Sequence, residues 1–205
     1  MAYIANTAFE ARITNHRNDD TANITGIFLD GNNAADICSA GFLCTRAALA
    51  ANAGYPSALS ISNENTWNMV EAESTDLAST PIYACNPHDV NEVTDPVTGA
   101  TFKVGANTLG ITAPARKPVT FTKIDFLSGD KRYRFGVGNL SAALGANTFF
   151  TIANGLLTPA AQAPTTTGAP YFVLCGTGTF TEGAYASAIT YVDVEAHVCL
   201  AVAQQ

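Results

Sequence analysis

Residues 189 to 202 read ITYVDVEAHVCLAV, in which Val192, Val194, Ala196, Val198 and Leu200 alternate with Tyr191, Asp193, Glu195, His197 and Cys199. A period of two sends successive side chains to opposite faces of a strand, so one face is expected on a core and the other in solvent. Such alternation points to antiparallel sheet, because parallel strands are covered on both faces and read as continuous apolar runs. The same period appears in KRYRFGV, residues 131 to 137, where Tyr133, Phe135 and Val137 share one face and Arg132 and Arg134 the other. PVTFTKIDF precedes it, and Leu127-Ser128-Gly129-Asp130 lies between, so a hairpin is predicted over Val119 to Val137. YFVLC, residues 171 to 175, is a further strand, with GTGTFTEG as a loose hairpin connection to residues 189 to 202.

Further out the signals are shorter. Ile24 to Leu29 and Phe42 to Thr45 read as strands separated by the turn Asp30-Gly31-Asn32-Asn33. RAALAANAG, closed by Gly54, predicts one or two turns of helix, since Ala and Leu favour helix and Gly stops it. Asp95-Pro96-Val97-Thr98-Gly99 is a reverse-turn sequence between strand-like ends and predicts a hairpin. Leu140 to Leu157 shows no clean period. The fold class expected is mainly β: an antiparallel β-sandwich or barrel-like domain with long loops, few short helices and an extended N-terminal arm. Residues 1–25, polar and mixed in charge, are that arm. Residues 26–205 are one β-rich domain, with a Pro/Thr-rich surface loop at 158–170.

Composition narrows the function classes. The 205 residues are 47% hydrophobic but only 13% charged, with a mean hydropathy of +0.13, which excludes an ordinary disordered chain. Ala, Thr and Gly supply 35, 25 and 16 residues. Thr fits pleated surfaces and Gly supplies turns. No apolar run is long enough to span a membrane, and MAYIANTAFEARITN lacks the basic start and apolar stretch of a secretory signal. The net charge is −7, yet Lys103 to Arg134 holds seven basic against two acidic residues. Nucleic acid is not an expected partner of so acidic a chain, because that affinity comes mainly from Lys and Arg neutralising phosphates. A local basic face can still steer docking onto a protein or a second copy of the chain.

Candidate chemistry is sparse. Cys85 and His88 form a CxxH pair that Cys38 and Cys44 could complete as a zinc set, but a structural zinc site normally shows two tight pairs and only one is present. The five cysteines, with Cys175 and Cys199 in apolar strand contexts, read as reduced structural thiols. Glu71 with Glu73, and Asp193 with Glu195, are paired carboxylates on which a hydrolase could be built; adjacent acids on one strand face more often meet solvent. Trp67 with Tyr55 or Tyr83 could form a sugar-stacking platform in a carbohydrate-binding or tail adhesion module. No catalytic residues, metal ligands or cofactors are assigned, and the chain is not read as an enzyme.

MAYIANTAFEARI, ADICSAGFLCTR, the Pro/Thr-rich loop and AITYVDVEAHV, set in an acidic Ala/Thr/Gly-rich body, resemble head decoration (capsid cement) proteins of tailed bacteriophages. The resemblance is one of overall style spread over most of the chain, and no diagnostic motif carries it. It implies a β-rich virion protein without enzymatic activity, made in the host cytoplasm and attached to the exterior of the major capsid protein shell. It also implies a homo-oligomer such as a trimer, with neither nucleic acid nor membrane as partner. The residues expected to contact the partner are Arg12 and Arg17 on the arm and Lys131, Arg132 and Arg134 on the basic hairpin.

Overall fold

The computed structural model describes residues 7, 9–13, 23–49, 66–76, 80–87, 92–94, 101–103, 112–113, 118–127, 131–180 and 189–200. Its strands are β1 (Phe9–Ile13), β2 (Asn23–Phe28), β3 (Cys38–Ser39), β4 (Leu43–Leu49), β5 (Thr66–Glu71), β6 (Ile82–Cys85), β7 (Glu92–Thr94) and β8 (Thr101–Lys103). They continue with β9 (Thr112–Ala113), β10 (Val119–Lys123), β11 (Lys131–Gly136), β12 (Phe149–Ala153), β13 (Leu156–Ala160), β14 (Pro170–Phe180) and β15 (Ile189–Val198). The one helical element among the described residues is a 3-10 turn, Val137–Asn139.

The expected mainly β fold is present as a barrel covered on one side by a sheet. Six antiparallel strands run in the order β1-β11-β15-β14-β12-β13, and β10-β2-β5-β4-β6 close into a barrel. Phe28, Phe42, Cys44, Met69, Tyr83, Cys85 and Phe121 fill the barrel. A second core, with Phe135, Phe150, Phe172, Val192 and Val194 from the sheet and Leu43, Ile82 and Ala84 from the barrel wall, joins the two bodies. Fully burying each large apolar side chain contributes about 1.5 to 3 kcal/mol. The start of β4, Leu43 to Thr45, and the whole of β6 are therefore covered on both faces, and all four residues of β6 are buried. At Gly26 on β2 an added Cβ would lie 2.5 Å from Met69 Cγ, so the bare backbone there makes room for the barrel filling.

Several sequence expectations change. The Val119 to Val137 hairpin does not form: β10 is a barrel strand between β2 and β6, whereas β11 lies between β1 and β15 in the sheet. The two strands adjoin in sequence, but their apolar faces belong to different cores. RAALAANAG begins as strand, since β4 runs to Leu49; pairing with β5 and β6 overrides the helix preference of Ala. Its last residues, 50 to 54, lie outside the described set. Not every pair is antiparallel, because β2 and β5 run parallel. The hairpin around Asp95 to Gly99 is present as β7 and β8. The region without a clean period holds a second hairpin, β12 and β13, turned by Asn154 and Gly155, both at positive φ.

Within residues 1–25, the segment read as an arm, two strands are part of the fold. β1 forms one edge of the sheet and β2 one stave of the barrel. Phe9 is 1% exposed, with its ring centroid 5.3 Å from that of Phe135 and 6.2 Å from that of Tyr133. The short alternation in FEARI is hidden by its polar surroundings. The loop predicted at 158–170 is shorter than expected, because β13 runs to Ala160 and β14 begins at Pro170. It is tied down by Gly168 N–H donating to the Cys199 carbonyl and by Cys199 N–H donating to that of Ala169.

Candidate interaction face

The polar face of β15 becomes the outer surface of the six-stranded sheet. Register places Arg132 opposite Glu195, Arg134 opposite Asp193, and Tyr171 opposite His197. Residues directly opposite one another share a face, so the cations of β11 meet the anions of β15. Arg134 donates from Nε to Asp193 Oδ1 at 2.8 Å and from Nη2 to Oδ2 at 3.0 Å, a bidentate pair. The Arg134 guanidinium also lies over the Tyr191 ring, 3.6 Å from its centroid. Gly178 permits this arrangement. A Cβ there would lie 2.4 Å from the Tyr191 hydroxyl, so only bare backbone lets the ring lie across β14.

Around Glu195 the contacts are looser and more exposed. Arg132 Nε is 3.9 Å from Glu195 Oε2, and His197 Nε2 is 3.3 Å from Oε1. Tyr171 stacks on His197 at 5.5 Å between centroids and 25° between planes, and Phe149 lies 6.3 Å from Tyr171. A β-bulge between Leu174 and Gly176 gives β14 one extra residue, Cys175, whose thiol points toward Glu195 Oε2 at 3.9 Å. Burial pushes the Cys175 thiol above its ordinary range and outweighs the pull of Arg132.

The structure brings together three of the five residues expected to contact a partner, although it gives them partners of their own. Lys131 pairs with Asp125 at 3.1 Å, Arg132 with Glu195, and Arg134 with Asp193. The stretch that reads as basic in sequence is thus a face of mixed sign. Arg12 stands in register opposite Arg132 on β1, and Arg17 lies outside the described residues. Sequence reasoning missed Tyr171 as a member of this face, and it placed Tyr191 there without its contact to Arg134. Period two applied to YFVLC puts Tyr171 and Val173 on one side, and the Gly-Thr-Gly run marks a strand flat enough for an aromatic ring to cross it.

The remaining candidates are dispersed. Tyr83 fills the barrel at 5% exposure, Trp67 is half-buried with the Arg46 guanidinium 4.2 Å from its ring centroid, and Tyr55 lies outside the described residues. Glu71 ends β5. Glu73, in the turn that follows, accepts a hydrogen bond at Oε2 from Asn154 N–H at 3.3 Å. Glu73 also lines an open groove of about 420 Å³ with Thr75, Thr151, Pro164 and Thr166, in which it is the one carboxylate among the described residues. Of the zinc set, Cys38, Cys44 and Cys85 do converge, but inside the barrel; His88 lies outside the described residues. No group of three metal-ligating side chains suited to a metal ion occurs among the described residues.

The cysteines reverse their expected placement. Cys175 and Cys199, read as core residues, are exposed and half-buried, while Cys38, Cys44 and Cys85 are buried and all five are free. Desolvation pushes the thiols of all three buried cysteines above their ordinary range, which keeps them protonated and unreactive. At neutral pH a chromogenic disulfide reagent is therefore expected to titrate two thiols in the native protein. The other three should appear only in guanidinium chloride. A third thiol reacting without denaturant would contradict the sealed barrel.

Compared with protein-family models, curated proteins and solved structures, the chain finds no match.

Proposed function

We propose that this chain is a virion structural protein that binds the exterior of the major capsid protein shell and stabilises it as a decoration or cement subunit, acting as a homo-oligomer. The observation that carries this reading is the outer face of the six-stranded sheet. Arg132, Arg134, Tyr171, Tyr191, Asp193 and Glu195 are held there by mutual ion pairs and ring stacking. A face ordered before contact loses little side-chain entropy on docking, which favours broad contact with a rigid lattice. Its mixed charge supplies register and partner selection more than raw affinity. A protein that binds only the assembled shell adds its binding free energy to that state, and repetition over equivalent sites multiplies modest contacts.

The test is cosedimentation with empty shells of the major capsid protein encoded in the same genome. Wild-type chain is expected to pellet with the shells at a fixed ratio. Arg132→Gln should lower occupancy several-fold while shifting the melting curve little, because that side chain is 54% exposed and its ion pair is long. Wild-type chain remaining in the supernatant at saturating concentration would end the reading.

A further inference from the structure

The groove beside Glu73 is lined by both bodies of the fold. The turn after β5 supplies Glu73, β12 supplies Thr151, and the connection from β13 to β14 supplies Pro164, Thr166 and Ala169. Both contributing loops are held by their own hydrogen bonds. Glu73 N–H donates to Asp76 Oδ2 at 2.7 Å and Asp76 N–H to the Glu73 carbonyl at 3.1 Å, while Ala169 N–H donates to the Thr166 carbonyl at 3.0 Å. Within this fixed frame Glu73 is an anion that the fold leaves without a cation. Among the described residues no Lys, Arg or His stands within ion-pair distance of it, and the ion pairs found there involve Asp125, Asp193 and Glu195. The Glu73 carboxylate accepts one long bond, from Asn154 N–H at 3.3 Å, and that bond engages Oε2, not Oε1.

From this arrangement we infer that the groove receives a lysine side chain presented by a protein partner, with its ammonium on Glu73. An ammonium carries three donors, and the groove offers a carboxylate oxygen together with the hydroxyls of Thr151 and Thr166. A guanidinium gains most from pairing with both carboxylate oxygens at once, which the Asn154 bond to Oε2 disfavours. Pro164 and Ala169 give the four-carbon stem apolar surface to lie on while its head stays in a polar setting. A volume of about 420 Å³ has room for that side chain. The lining holds no aromatic ring among the described residues, so a sugar face finds no platform there. This chain has four lysines and a net charge of −7, so a more basic second protein, not another copy, is the occupant that the charges favour. The inference concerns the groove alone and holds whether or not the partner is a capsid shell.

Amide NMR titration of the full-length chain with lysine blocked at both ends, as the Nα-acetyl methylamide, tests it. Saturable shifts are expected at Glu73, Thr75, Thr151 and Thr166, with affinity in the millimolar range and weakening as salt is added. Blocked norleucine has the same stem without the charge and should leave those signals in place. Glu73→Gln retains an acceptor for Asn154 N–H but not the charge, so it should weaken binding about tenfold or more while its other amide signals match those of wild type. No saturable shift with blocked lysine into the tens of millimolar would overturn the inference. Equal binding of norleucine, or undiminished binding by Glu73→Gln, would do the same. Cadaverine binding more than about tenfold tighter than blocked lysine would assign the groove to a free diamine and remove the protein partner.

Discussion

Gly155→Ala is expected to destabilise the protein by about 3 to 5 kcal/mol, the sum of a backbone term and a steric term. Gly155 has φ +70°, a conformation that L side chains avoid at a cost of roughly 1 to 2 kcal/mol. An added Cβ would also lie 2.2 Å from Phe42 Cζ, inside the ring that plugs the barrel. Neither neighbour can move easily. Leu43 N–H donates to the Gly155 carbonyl at 2.8 Å, Gly155 N–H to that of Ala72 at 2.9 Å, and Ala72 N–H to that of Leu43 at 3.0 Å. This ring of three backbone bonds locks the tip of the β12–β13 hairpin onto the barrel wall.

Urea unfolding should read the loss, and the melting temperature should fall by about 10 °C at 2 to 4 °C per kcal/mol for a chain of this size. The steric share can be separated from the backbone share. Phe42→Ala empties the space that the new methyl would enter, so the double variant should cost less than the two single variants added together. Strict additivity, or a loss under 1 kcal/mol for Gly155→Ala, would mean that the hairpin tip does not bear on Phe42.

The same junction explains what the sequence could and could not disclose. Residues 189 to 198 are legible because one face of β15 packs on the shared core and the other meets solvent, which writes a period of two; Leu200, which continues the apolar alternation, lies past the strand and is exposed. IYAC on β6 is not legible, since Tyr83 and Cys85 fill the barrel while Ile82 and Ala84 face the sheet. Covered on both sides, it carries no alternation. The β10–β11 hairpin failed for a related reason: adjacency in sequence says nothing about which of two cores an apolar face will join. On the candidate face, Arg132, Arg134, Asp193, Glu195 and His197 were each visible as polar positions. Their pairing depends on β11 lying beside β15, a long-range register that no local pattern encodes.

That register makes the Arg134–Asp193 pair the second large effect. Arg134 is 8% exposed as a residue, and its guanidinium is engaged by the carboxylate on one side and the Tyr191 ring on another. Asp193→Ala removes the compensating charge from a group that water scarcely reaches, and such a loss costs about 3 to 5 kcal/mol. Asp193→Asn keeps an acceptor but loses the charge, so it should fall between wild type and Asp193→Ala. The combination Arg134→Met with Asp193→Leu should recover part of the loss, because replacing both ions by apolar groups of similar size leaves neither charge of this pair facing an empty place. If the paired replacement is as damaging as Asp193→Ala alone, the ion pair is not the source of the cost. The comparison also governs how binding experiments are read. Arg134 and Asp193 hold the sheet together, so their loss would depress shell binding through unfolding, whereas Arg132 belongs to an exposed pair worth about 1 kcal/mol or less and reports on contact itself.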